Sequence, residues 1–190
     1  MSVREELLAA AAELFTTRGY TATTTRAVAE RAGMRQASIY HYVGGKEDLL
    51  AELLEGTVTP SLDLARALLA DDTRPAEARL WDLCRYDAEL LCAGPYNLGA
   101  LYLLPEVAAE RFTAFRRARA DLKAAYARLL AATAPGRALP APELALRTDL
   151  IFALIEGVIL VHRSTPGRPV PAFARAAADA ALRIADIPAP

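Results

Sequence analysis

The amino-acid sequence predicts an all-α protein, and three observations carry that prediction. Of the 190 residues, 54% are apolar and only 7% aromatic; alanine is abundant and β-branched residues are few, which favours helix over strand. Proline recurs just inside the start of apolar-periodic stretches and glycine just past their ends, the asymmetry expected of helices. Between Thr24 and Lys46, Ala29 is followed by Gly33 four positions on and by Ile39 six further. A small residue, a turn glycine and an aliphatic plug at those positions are what a helix–turn–helix needs to pack. The expected architecture is about nine helices, with a three-helix head over 1–48 and a helical remainder over 49–190.

The first helix is expected from Val3 to Thr17. Ser2 and Glu5 have capping-box spacing, and Leu7, Ala10, Ala11, Leu14 and Phe15 form one apolar stripe ended by Gly19. Thr24 is a good N-cap for the second helix, which carries Val28, Ala29 and Ala32 inward and stops at Gly33, where a left-handed residue is needed. A short third helix follows, with Ala37, Ile39, Tyr40 and Tyr42 expected to supply apolar surface. Gly44-Gly45 then turn the chain into a fourth helix that opens Lys46-Glu47-Asp48. From Leu49 to Leu69 the apolar residues keep helical period past Pro60. One long helix to about Ala70, kinked at the proline, is expected; the alternative is two helices broken there.

Further helices are expected from Pro75 to Ala93, from about Tyr96 to Leu103, and from Pro105 to about Ala132 before Pro135-Gly136. Two more should run from Pro142 to about Arg163, before Pro166-Gly167, and from Pro171 to near Asp186. Composition excludes a disordered chain. The opening MSVREE lacks the apolar core of a signal peptide, and no apolar run reaches membrane-spanning length. Cys84 and Cys92 share one predicted helix and cannot pair there, so a reducing cytoplasm is the natural compartment.

Charge is uneven. The chain carries 22 basic and 23 acidic residues, a net of −1, yet from Arg18 to Lys46 five cations (Arg18, Arg26, Arg31, Arg35, Lys46) face the single acid Glu30. Cations concentrated on a helix–turn–helix suit a site-specific DNA binder, whose second helix enters the major groove.

Gly19-Tyr20, Thr24-Thr25-Arg26-Ala27-Val28-Ala29, Ala32-Gly33 and Ile39-Tyr40-His41-Tyr42-Val43-Gly44-Gly45-Lys46-Glu47-Asp48-Leu49 resemble the N-terminal signature of the TetR family of bacterial repressors. The resemblance covers roughly the first quarter of the chain. Two positions depart from it: Arg35 stands where the family usually has a capping Ser, and Val43 where it usually has Phe. The resemblance implies that Tyr40, His41 and Tyr42 meet phosphates, that the start of the fourth helix with Lys46 does the same, and that Thr24, Thr25 and Arg26 belong to the interface. Arg35, Gln36 and Ser38, at the start of the recognition helix, are placed to reach base edges, where Arg reads guanine and Gln adenine.

Two helices look wrong for a monomer. Residues 150–161 are apolar nearly all round with Gly157 inside, and the last helix presents a smooth alanine face. Leu150, Leu154, Gly157 and Val161, with Ala174, Ala178 and Ala181, are therefore expected at a two-fold interface of a homodimer. Interior packing within one chain is the plain alternative.

A pocket for a small, largely apolar effector is expected among Trp81, Cys84, Tyr96, Tyr102, Phe112, Phe115, Leu122, Tyr126 and Phe152. Such stripes serve equally well as core. Glu156, isolated in an apolar helix, needs a partner and is a candidate polar handle. His41 and His162 fall in different helices, no Cys/His/carboxylate cluster has metal spacing, and neither a phosphate loop nor a G-x-S-x-G elbow occurs. No enzyme activity, metal, cofactor or membrane partner is expected. The rivals are a DNA binder of this fold without a small ligand, and an all-α enzyme or lipid carrier.

Overall fold

The computed structural model describes residues 2–165 and 167–187. All regular structure among them is helical: nine α-helices and three short 3-10 turns.

Helix α1 (Val3–Thr17) opens on the expected capping box, with Ser2 N–H donating to Glu5 at 2.7 Å and Glu5 N–H donating to Ser2 Oγ at 3.3 Å. In α2 (Thr25–Arg31), Thr24 Oγ1 accepts from the Ala27 N–H at 3.1 Å. Gly33, at φ +70°, makes the left-handed stop that a Cβ would oppose. Helix α3 (Gln36–Ile39) is a single turn, and its N-cap Arg35 offers no acceptor. Val28, Ala29 and Ile39 are fully buried, so the small core follows the sequence spacing. Tyr40 and Tyr42 do not join it, being 53% and 41% exposed, and Ala37 is also exposed. Because α3 ends at Ile39, the chain turns before either ring can face inward, and Val43, 5% exposed, fills the core instead.

Helix α4 (Lys46–Ala70) is continuous through Pro60, the first of the two alternatives. Helix α5 (Ala76–Ala93) starts after Pro75 as expected. The next stretch departs from expectation. Residues 98–112 form the 3-10 turns Leu98–Leu103, Pro105–Ala108 and Glu110–Phe112, and helix α6 (Thr113–Ala132) begins eight residues after Pro105. Ala109 is extended, and the Arg116 guanidinium takes the Val107 and Ala109 carbonyls, each at 2.6 Å. The Ala109 carbonyl also accepts the Phe112 N–H at 3.1 Å, an i to i+3 bond of 3-10 geometry.

Pro135-Gly136, read as a breaker, lies inside the short helix α7 (Ala134–Ala138). Thr133 caps it by accepting from the Gly136 N–H at 3.0 Å, and a Cβ on Gly136 would sit 1.8 Å from the Leu130 carbonyl oxygen. Helices α8 (Ala141–Ser164) and α9 (Val170–Ile184) follow. Pro166, part of the expected stop after α8, lies outside the described residues.

Compactness divides the chain at 57/58 rather than at 48/49. One unit comprises residues up to Thr57 together with Tyr96–Arg116; the other comprises Val58–Pro95 and the residues from Arg117 onward. The first adds the 3-10 segment to the three-helix head, with Phe112 and Phe115 buried there. In the second, α5, α8 and α9 pack mutually around Leu80, Leu83, Ile155, Ala178 and Leu182. Among the described residues, no helix is long and apolar enough to cross a membrane.

Candidate nucleic-acid interface

Arg35 and Gln36 stand exposed at the start of α3, with Ser38 half-buried one turn on and Tyr40, His41 and Tyr42 exposed at its end. Among the described residues no salt bridge involves Arg35. Its planar fork of donors suits the paired acceptors of a guanine edge, and the Gln36 amide suits those of adenine. Thr25 Oγ1 and Tyr40 Oη lie 3.3 Å apart, which ties the start of α2 to the end of α3. Thr24 is committed to its cap. Arg26 pairs with Glu30 at 2.8 Å with both side chains largely exposed, a contact worth little in water and readily exchanged for a phosphate.

Two of the expected cations are turned elsewhere. Arg31 pairs with Glu13 at 2.6 Å. Lys46 Nζ donates to the Tyr20 and Thr23 carbonyls at 3.1 and 3.2 Å and sits 4.3 Å from the centre of the Tyr20 ring. The Lys46 ammonium thus fastens the loop before α2. Burial pushes the Tyr20 hydroxyl up to about 12.

The ten residues expected to share a pocket fall in both units. Tyr96, Tyr102, Phe112 and Phe115 belong to the first unit, and the other six to the second. Tyr96 donates to Glu13 at 2.9 Å, and Tyr102 shares a hydrogen bond with Thr57. Glu13, held by Arg31 and then by Tyr96, titrates below the usual carboxylate range. In the second unit Cys84, Leu122, Tyr126 and Phe152 are 0–3% exposed. The Tyr126 and Phe152 rings meet edge-on, 5.5 Å apart. Stripes facing one another across α5, α6 and α8 bury each other, so these four are packed core.

Trp81 Nε1 donates to Asp179 at 2.7 Å, joining α5 to α9. Glu156 is not isolated: Arg119 grips it with two nitrogens at 2.6 and 2.5 Å and lies over Phe152. The most deeply buried carboxylate is Asp87, which the sequence reading passed over. It accepts from Ser61 and Tyr126, each at 2.9 Å, and burial pushes it up to about 6. Nothing in local periodicity marks it, because its partners lie 26 and 39 positions away.

Of the residues expected at a dimer interface, Leu150 and Val161 are about half exposed, with Leu154 and Gly157 half-buried beside them. Ala174, Ala178 and Ala181 are 0% exposed. The smooth face of α9 seats that helix within its own chain. From α9, the exposed Ala176 and the part-exposed Phe173 and Ala180 line, with Gly157 and Val161, an apolar groove of about 390 Å³. Among the described residues, no three His, Cys, Asp or Glu side chains are placed to hold a metal ion.

A closed helix–turn–helix core, an exposed Arg-Gln start to its second helix, and a long helix running on into an all-helical second unit define a DNA-binding transcriptional regulator. The family model described as bacterial regulatory proteins, tetR family, matches residues 7–53. The crystal structure of Mycobacterium smegmatis AmtR superposes with a TM-score of 0.87 at 46% identity, covering 97% of this chain and 86% of that one. The chain belongs to the TetR family. A TetR-family regulator from Bordetella parapertussis shares the fold, with a TM-score of 0.80 at 20% identity over 95% of this chain and 94% of that one. Among curated relatives, the HTH-type transcriptional repressor KstR2 of Mycobacterium tuberculosis (strain ATCC 25618 / H37Rv) is 47% identical over 55 residues, 29% of this chain and 28% of that protein. KstR2 of Rhodococcus jostii is 40% identical over 67 residues, 35% of this chain and 33% of that protein. The match thus spans a third or less of those repressors.

Proposed function

We propose that the protein is a cytoplasmic, homodimeric repressor that reads a palindromic operator and leaves it when a small, largely apolar effector binds. The observation that carries the reading is the exposed Arg35-Gln36 pair over a closed helix–turn–helix core. Arg35 and Gln36 contact base edges; Thr25, Arg26, Tyr40, His41, Tyr42 and the backbone start of α4 contact phosphates. Two recognition helices are needed for two half-sites, and the uncovered apolar stripe of α8 beside the α9 groove supports a two-fold contact there. An apolar effector is supported by a second groove, of about 410 Å³, lined by Ala124, Ala127, Leu144 and Ala145. The effector releases DNA only to the extent that it binds the DNA-free state more tightly.

The packing of Cys84, Leu122, Tyr126 and Phe152 favours a second reading, a regulator of the same fold without a small-molecule ligand.

The test is selection of duplexes from a random pool by the full-length protein. Enrichment of one two-fold symmetric sequence, bound with an affinity that falls steeply with salt, is expected. Retention of every duplex alike would overturn the reading.

A further inference from the structure

The stretch that follows the recognition helix is held at two backbone points by groups outside it. Arg4 Nη1 donates to the Tyr42 carbonyl at 3.0 Å while its Nε holds Glu52 at 2.9 Å. Two residues on, the Gly44 N–H donates to Asp48 Oδ2 at 2.8 Å. The other carboxylate oxygen, Oδ1, accepts from Arg111 Nε at 2.9 Å and Nη2 at 2.8 Å. Asp48 lies in the first turn of α4, so its side chain reaches back as an N-terminal acid does to a free N–H. Arg111 lies in the 3-10 turn Glu110–Phe112, which is anchored in the same unit by the buried Phe112.

We propose that Arg111 is a positioning residue for DNA recognition: by fixing the Asp48 carboxylate it fixes the Tyr42–Gly44 backbone, and with it the exposed Tyr40, His41 and Tyr42. This role rests on the DNA-binding reading above. The ion pair itself is half exposed and contributes little as Coulomb energy. What matters is that both oxygens are assigned, one to Arg111 and one to Gly44. Arg111 and then the Gly44 N–H hold the Asp48 carboxyl below the usual carboxylate range. Position 44 is fitted to this arrangement. A Cβ there would sit 2.7 Å from Asp48 Oδ2, so the carboxylate must shift to admit any larger residue. Arg111 is 63 positions from Asp48, in the stretch joining α5 to α6. The chain beyond the head thus returns one side chain to the recognition segment.

The test uses the full-length protein, the duplex it selects, and a scrambled duplex of equal length. Because Tyr40, His41 and Tyr42 meet phosphates, Arg111→Gln and Asp48→Ala are each expected to lower affinity for both duplexes about three- to tenfold, leaving the preference for the selected one within about twofold. Gly44→Ala should do the same, and should add little when combined with Asp48→Ala. Amide exchange at Gly44 should quicken in Arg111→Gln at an unchanged thermal midpoint. Unchanged affinity for both duplexes, loss that follows a fall in thermal midpoint, or unchanged exchange at Gly44 would each overturn the role. If the wild type selects no duplex, the DNA-binding reading itself fails, whereas the exchange result still reports on the Arg111–Asp48–Gly44 link.

Discussion

Tyr126 donates its hydroxyl hydrogen to Asp87 Oδ2 at 2.9 Å, and both side chains are closed off from water. With Ser61 on the other oxygen, a carboxylate from α5 is held by hydroxyls from α4 and α6. Two neutral hydroxyls do not fully replace water around a charge, so burial outweighs them and the carboxyl is pushed up to about 6.

That shift predicts a pH dependence. The folded-state value lies above the unfolded one, so the stability this group contributes is full below about pH 4 and is lost as pH rises through about 6. Asp87→Asn removes the titration. Its stability relative to wild type should rise by about 2–3 kcal/mol between pH 4 and 7 and then level off. Urea unfolding at a series of pH values reads the difference, and a flat difference would contradict the assignment.

The packed state of the second unit's aromatic face makes a second prediction. Cys84→Trp and Leu122→Trp insert bulk where exposure is 0% and 2%. Each should cost about 1–3 kcal/mol or more through overpacking. Thermal unfolding without any ligand decides; variants as stable as wild type would mean that unfilled space lies beside these residues.

At the head, Arg35→Ala should weaken the selected duplex by about 1–3 kcal/mol and relax one base position. Lys46→Ala should behave differently, because its ammonium holds the Tyr20 and Thr23 carbonyls. It should lower thermal stability by about 1 kcal/mol and leave the slope of log affinity against log salt nearly unchanged. A slope smaller by about one for Lys46→Ala would place that ammonium on a phosphate.

For assembly, Leu150→Glu and Val161→Glu alter side chains that are 49% and 53% exposed in the single chain. Both should sediment as monomers with helix content and melting temperature near those of the folded chain. Ala178→Glu should instead unfold the second unit, since that position is 0% exposed and a charge buried there has no partner. Dimers that persist in both α8 variants would exclude this face.

The features legible in the sequence are local ones. The Ser2–Glu5 capping box, the Thr24 cap, the Gly33 stop and the small core of Ala29 and Ile39 all depend on residues within a few positions of one another. Hence α1 and α5, and α4 through Pro60, run as their periodicity requires, and the class of protein was legible from about thirty residues of the head. The tertiary structure decided what side chains do at a distance. It turned Lys46 inward, gave Glu156 an arginine from α6, placed Asp87 between two hydroxyls, and broke residues 98–112 into 3-10 turns. It also seated the alanine face of α9 within its own chain, where periodicity shows the face and not its partner. Helical period tells which residues share a face; only the packed chain tells what that face meets, because the partners lie tens of residues away.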